Sequence, residues 1–327
     1  MGSLGSLRKT ARLLERSDAL PRVLLAWNTE PMPPPELNHR WERLGVALSP
    51  ASLGITWAKP LLHMVSGPMF WMIGRAGLPA GLGRQLSPGA LRFSIENLAV
   101  LERGLKAGWI THVIAATEQQ RQYLAERGLD ASFMPSGIHD GYGCNLGGPR
   151  DIDVLFIGRL KNNKRRQRSL DRMLAALEKR SLTVHVVSRG CFGQERTKLV
   201  NRAKVVLHLH SNEWESPFMR WYLATANGAI IASEPLRVSH PLDPHTHYIS
   251  APLQDLPDAI CAVLANDTRR MEIFDSCRAR ITEKMSLAGS VRAILDLMSK
   301  QSIPSQGHRD ISGDLLETPK QDCSFAG

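Results

Sequence analysis

The chain has 327 residues, 43% of them hydrophobic and 22% charged, a balance that excludes general disorder and leaves room for about two domains. Its net charge of +10 calls for an anionic partner, whether nucleic acid, acidic membrane surface or phosphorylated substrate, without choosing among them. Cys144, Cys191, Cys261, Cys277 and Cys323 are scattered, with no C-x-x-C pair and no metal-ligand spacing, which points to a reducing compartment.

The first twenty residues carry Arg and Glu throughout and no uninterrupted apolar core before a small-residue cleavage site, so an N-terminal extension over residues 1–20 is expected rather than a secretion signal. A smaller α/β domain is expected over 21–150. There RVLLAWN (Arg22 to Asn28) and THVIA (Thr111 to Ala115) read as strands, and TEQQRQYLAERG (Thr117 to Gly128) as a helix with Thr117 as its N-cap. Between them Trp57 to Gly83 is rich in Trp, Met, Leu, Gly and Pro. It lacks an 18-residue apolar span and is not expected to cross a membrane. Phe70, Trp71 and Met72, near basic residues, fit either a membrane-touching face or the interior of the lobe.

Residues 151–300 alternate strand and helix. The run Asp153 to Ile157 closes at Gly158 and reads as a buried parallel strand. Leu170, Met173, Leu174 and Leu177 then recur at helical spacing. LTVHVV (Leu182 to Val187) is a strand, Gly190 to Gly193 a turn, Glu195 to Ala203 a helix and KVVLHLH (Lys204 to His210) a strand. Pro217 to Gly228 begins where helices accept Pro and ends at Asn227-Gly228, a helix stop, before the strand Ala229 to Ser233. Leu256 to Leu264 and Arg269 to Ile281 complete the set as helices. This pattern predicts a parallel sheet wound on both faces, with ligands outside the carboxyl ends of its strands. Residues 301–327 are polar and aperiodic and are expected to be a disordered tail.

Three segments carry candidate chemistry. GRLKNNKRRQR, with Lys161, Lys164, Arg165, Arg166 and Arg168, follows the first strand of the second lobe. Gly158 permits close backbone approach, and Arg159 and Lys164 can place positive charge on a pyrophosphate, although each basic residue fits a solvated loop as well. In HLHSNEWESPFMR, His210 ends a strand, Glu213 and Glu215 occupy the loop, and Ser216-Pro217 opens a helix whose amides face the same place. Glu215 can equally complement the helix dipole, with Arg220 as its surface partner. In NGAIIASEP, Glu234 can bind ribose or sugar hydroxyls or cap the loop that follows it. His185 reads as a packing histidine within its strand.

The run DVLFIGRL, then ERTKLVNRAKVVLHLH, ESPFMRWYLATANGAIIASEP, HYI and DLPDAICAVLAND resembles, over about 150 residues, the C-terminal domain of GT-B glycosyltransferases. It is most similar to spore-maturation-type and family-1-like bacterial members. The resemblance implies an α/β, GT-B fold of two Rossmann-like domains facing a cleft, the N-terminal one reduced. It implies transfer of a sugar from a nucleotide-diphosphate sugar to a glycan, lipid or protein acceptor, without metal or cofactor. Gly158, Arg159 and Lys164 match the donor-diphosphate loop; His210, Glu213, Arg220, Gly228 and Glu234 complete the expected substrate-binding set. Glu215 matches the first acidic residue of an E-x7-E motif, and the second falls on Leu223. A general base is expected from the N-terminal lobe, with His112 and His139 as candidates beside Glu215.

Two other readings follow from particular residues. Leu223 in place of the second acid suggests a catalytically inactive GT-B-like protein that binds a nucleotide or glycan. The KNNKRRQR run suggests nucleic acid, but no helix-turn-helix, zinc-ligand or aromatic-basic pattern accompanies it, and no nucleic-acid partner is expected. The expected location is cytoplasmic, with peripheral contact at the inner face of the membrane.

Overall fold

A computed structural model of the protein describes residues 25–28, 32–34, 36–49, 59–79, 88–108, 110–160, 163–211 and 218–300. The chain divides into two compact units, one running to Ser136 and the other beginning at Gly137.

The first unit holds a parallel sheet of β1 (Leu25–Asn28), β2 (His112–Ala115) and β3 (Ala131–Phe133), in that order. Leu25 stands opposite His112, and Val113 opposite Ala131. Among the described residues three helices precede β2: α1 (His39–Ala47), α2 (Lys59–Gly77) and α3 (Pro88–Lys106). They pack through Val46, Phe70, Ile73, Leu91, Ile95 and Leu98, all buried. Phe70 therefore belongs to the lobe interior, whereas its neighbours Trp71 and Met72 are exposed. Helix α4 (Glu118–Ala125) starts as the sequence predicts: the Thr117 hydroxyl accepts from Gln120 N, and the Gln120 side chain accepts from Thr117 N, closing a capping box.

A buried ionic network ties α1 to α4. The Glu42 carboxylate, fully buried, accepts from Tyr123 Oη at 2.5 Å, from Arg127 Nε at 2.8 Å and from Arg127 Nη2 at 2.7 Å. The Arg127 guanidinium also lies over the Tyr123 ring, 3.4 Å from its centroid. The charge is tolerated at zero exposure because both carboxylate oxygens are hydrogen-bonded and a guanidinium balances them.

The second unit is a doubly wound parallel sheet. Its strands are β4 (Ile152–Ile157), β5 (Val184–Val187), β6 (Ala203–His208), β7 (Ile230–Ser233) and β8 (Ile249–Ser250), arranged β5-β4-β6-β7-β8. Its helices are α5 (Lys164–Glu178), α6 (Gly193–Asn201), α7 (Phe218–Ala226), α8 (Leu256–Leu264), α9 (Asp267–Lys284) and α10 (Leu287–Lys300). Alternate residues of the central strands enter different cores. Leu155, Val206 and Ile231 pack with Val200, Trp221 and Ile281 on one face. Val154, Phe156, Val205, Leu207, Ile230 and Ala232 pack with Leu170, Met173, Ile260 and Phe274 on the other. Burial on both faces is why these strands read as unbroken apolar runs.

Residues 137–150 pack within this second unit. Ile138 N donates to Met285 O at 2.8 Å, and Asn227 Nδ2 donates to Tyr142 O at 2.8 Å. Strand β6 stops at His208, two residues before its expected end. His185 on β5 is exposed rather than packed in the core. Among the described residues no helix is long and apolar enough to cross a membrane. The tail over 301–327 lies outside the described residues.

Candidate functional site

In chain order the strands of the second unit run first β4, then β5, β6, β7 and β8, so the sheet order β5-β4-β6-β7-β8 turns outward in opposite directions from β4 and β6. Connections leaving those two carboxyl ends diverge, and an open α/β sheet takes its ligand in the crevice that this leaves. The residues at that point are Gly158 and Arg159 after β4, His208 to His210 at the end of β6, Glu234 after β7, the first turn of α5 and Arg220 from the first turn of α7.

Gly158 donates its N–H to Val187 O at 3.0 Å, and a Cβ built on it would lie 2.8 Å from Arg220 Nη2. The glycine is there because a guanidinium occupies the space of its missing side chain. Arg220 Nε donates to Ile157 O at 3.4 Å, and Nη1 lies 2.5 Å from His208 Nδ1. His208 has no exposed surface, and burial, with Arg220 next, holds its imidazole well below the usual titration range.

Two arginines of α5 lock the surrounding loops. Asn163 caps α5 by accepting from Arg166 N at 2.9 Å. Arg166, itself buried, donates from Nε to Leu209 O at 2.9 Å and from Nη1 to Arg159 O at 3.4 Å, stapling the loop after β4 to the loop after β6. Arg165 Nη1 donates to His210 O at 2.8 Å, and its Nη2 meets Glu234 Oε1 at 3.0 Å. Glu234 Oε2 accepts from His210 N at 2.8 Å. Both carboxylate oxygens of Glu234 are therefore engaged inside the protein, joining the ends of β6 and β7.

Arg165, Arg166 and Arg220 meet here with one described carboxylate, Glu234; Arg159 and Lys164 neighbour them in the chain, and the positive end of α5 adds to the field. Arg159 and Lys164 are exposed. The arrangement suits an anion that two or more guanidinium and ammonium groups can grip, with a phosphate chain as the natural class.

Gly228 has φ +79°, and a Cβ on it would sit 2.1 Å from Arg150 Nη2. Arg150 donates to Ala203 O at 2.6 Å and Asn227 O at 2.8 Å, which places Gly228 at the amino edge of the sheet, away from Gly158. His112 starts β2, also at an amino end, and its Nδ1 lies 3.1 Å from Thr111 Oγ1. His139 belongs to the second unit and not to the N-terminal lobe from which a base was expected. Its Nδ1 accepts from Gly141 N at 3.1 Å, and its ring leans on Tyr142 at 4.7 Å between centroids. Glu213, Glu215, Ser216, Pro217 and Lys161 lie outside the described residues.

Sequence reasoning missed His208 and gave Arg165 and Arg166 no separate roles. The signal for His208 was a polar residue inside the apolar run KVVLHLH. Nothing local distinguished Arg165 and Arg166 from their basic neighbours.

Residues 165–296 match the family described as glycosyl transferase-like. Among curated proteins none matches the sequence. Among solved structures, Anabaena HepE in complex with UDP-glucose is 12% identical with a TM-score of 0.52, over 84% of this chain and 99% of HepE. S. aureus TarM, in a complex with fondaparinux, alpha-GlcNAc-glycerol and UDP, is 15% identical with a TM-score of 0.51, over 63% of this chain and 46% of TarM. The chain thus matches about half the length of TarM. At these identities the likeness is one of fold, and the fold is GT-B.

Proposed function

We propose, from a chain that carries a glycosyl transferase-like domain on the GT-B fold, that it transfers a sugar from a nucleoside-diphosphate sugar to an acceptor, a glycan, lipid or protein. The observation that carries this reading is the guanidinium of Arg220 seated on Gly158 at the carboxyl ends of β4 and β6. There the donor diphosphate lies against the Gly158 backbone, with Arg220, Arg159 and Lys164 supplying charge. As the sugar leaves, negative charge grows on the departing diphosphate, and cations already fixed in place stabilise it without reorganising. These groups neutralise the diphosphate charge that a divalent ion would otherwise neutralise, so transfer is read as metal-independent and undiminished by a chelator. Glu234, with both oxygens engaged, acts as a loop clasp and not as a sugar ligand.

HepE was solved with UDP-glucose and TarM with UDP, which makes uridine diphosphate sugars the first donors to try. The test is release of nucleoside diphosphate from a panel of UDP-, GDP- and ADP-sugars by wild type and Arg220→Met. Release from one nucleotide family, lost in the variant, supports the reading. Binding without release at any acceptor tried supports a GT-B-like binding protein instead, the reading that Leu223 favours.

A peripheral membrane contact belongs to the same reading. On α2, Trp71 is 53% and Met72 46% exposed, and the Arg75 guanidinium lies 4.8 Å from the Trp71 ring. An interfacial Trp beside a cation suits an anionic lipid surface. Sedimentation with phosphatidylglycerol vesicles, lost in Trp71→Ser, supports it, and no sedimentation of wild type refutes it.

A further inference from the structure

Arg220 meets His208, whose own hydrogen bonding is one-sided. Its ring is fully buried at the end of β6, with Nδ1 2.5 Å from Arg220 Nη1. A guanidinium has donors only, so Nδ1 accepts and the ring proton sits on Nε2. Among the described residues Nε2 meets no hydrogen-bond partner. Its ring neighbours are Trp221, 5.7 Å between centroids, and His210, at 5.2 Å. Burial, reinforced by Arg220, His210, Arg166 and Arg165, keeps the imidazole neutral, as an acceptor must be. A buried donor without an acceptor detracts from stability, so an apolar side chain of similar size would serve the fold as well or better. What leucine cannot do here is accept from Arg220.

We propose that His208 is a positioning residue: through Nδ1 as acceptor it holds the Arg220 guanidinium against Gly158, in the orientation that grips the diphosphate of the donor. The inference rests on the nucleotide-sugar reading above. Arg220 reaches the site on a long side chain from α7, and its bond to Ile157 O is long, 3.4 Å. Of these two bonds the shorter, to His208, restrains the plane of the fork. Arginine binds phosphate through two parallel donors, so the orientation of that plane matters as much as its charge. Asparagine at position 208 would place Oδ1 close to the position of Nδ1, retaining an acceptor without an imidazole.

Calorimetric titration of the full chain with UDP, GDP, ADP and inorganic pyrophosphate tests this, using wild type, His208→Leu and His208→Asn, with a melting temperature for each. His208→Leu is expected to weaken the probe that wild type binds by about tenfold, the worth of one charge-assisted hydrogen bond. It should melt no lower than wild type, and His208→Asn should recover most of the affinity. His208→Leu binding as wild type does, or His208→Asn binding no better than His208→Leu, overturns the inference alone. So does an affinity loss in both variants that tracks a fall in melting temperature, because that is the signature of packing. Wild type binding none of the probes refutes the donor reading and takes the inference with it.

Discussion

Gly158→Ala separates the fold from the site in one substitution. The added methyl would lie 2.8 Å from Arg220 Nη2, 3.5 Å from the Phe156 ring and 3.6 Å from Arg220 Cζ. Only the first distance is too short, and the clashing atom ends a flexible side chain, so the chain can fold by moving the guanidinium aside. Gly158 is not in the left-handed region, so no backbone strain is added, and loss of glycine's entropy in the unfolded chain favours the variant slightly. Stability should change by less than about 1 kcal/mol. The displaced guanidinium loses its 2.5 Å contact with His208 and its place beside the Gly158 backbone. One such charge-assisted bond is worth about 1.5 kcal/mol, a loss of about tenfold in nucleoside-diphosphate affinity. Calorimetry gives the affinity and guanidinium chloride unfolding the stability. Unchanged affinity would refute the placement of the phosphate site, and a large fall in stability would show Gly158 to be needed by the fold.

Gly228→Ala should behave in the opposite way. At φ +79° and with Arg150 Nη2 in the way, the methyl should cost about 2 kcal/mol of stability while leaving the affinity of the folded protein intact, measured by the same two methods. Glu42→Gln strands the buried Arg127 and should cost about 3 to 5 kcal/mol, seen as a lower unfolding midpoint with nucleotide affinity unaltered in the folded fraction. His208 titrates well below its ordinary value when folded and near 6.5 when unfolded, so unfolding takes up its proton in acid. Its contribution to stability is full above about pH 6.5 and declines below that by at most about 1.4 kcal/mol per pH unit. The cations facing it are Arg220 from α7, Arg165 and Arg166 from α5, and His210 when protonated. Denaturant unfolding at pH 7.5, 6.5 and 5.5 should show a steeper acid loss for wild type than for His208→Asn; parallel curves refute it.

Strands β4, β6 and β7 were legible because both of their faces are buried, which leaves runs such as VLFI and AIIAS with few alternatives. Helix α4 was legible from Thr117, an N-cap residue ahead of good helix formers. Helix α2 was not, since it is apolar around most of its circumference and contains Pro68, so no amphipathic period marks it. Strand β3, only ASF, is too short to show a period, and α10, broken visually by Gly289 and Ser290, was left unassigned.

The site was legible as a place and less so as a set of roles. Gly158 and its basic loop stood out from local sequence. Gly228 resembled a site glycine, because Asn-Gly marks a helix stop at either edge of a sheet. Arg220 acquires its role from Gly158 and His208, the first of them 62 residues away, and Glu234 loses its free carboxylate to Arg165 and His210. Those assignments depend on which loops meet, which topology decides and local pattern does not.

The most direct test is a crystal structure of the protein with the nucleoside diphosphate that calorimetry selects. The account predicts the diphosphate at the carboxyl ends of β4 and β6, with oxygens within hydrogen-bonding distance of the Arg220 guanidinium and packed against the Gly158 Cα. A diphosphate bound elsewhere, at the amino edge beside Arg150 or on the first unit, would contradict it.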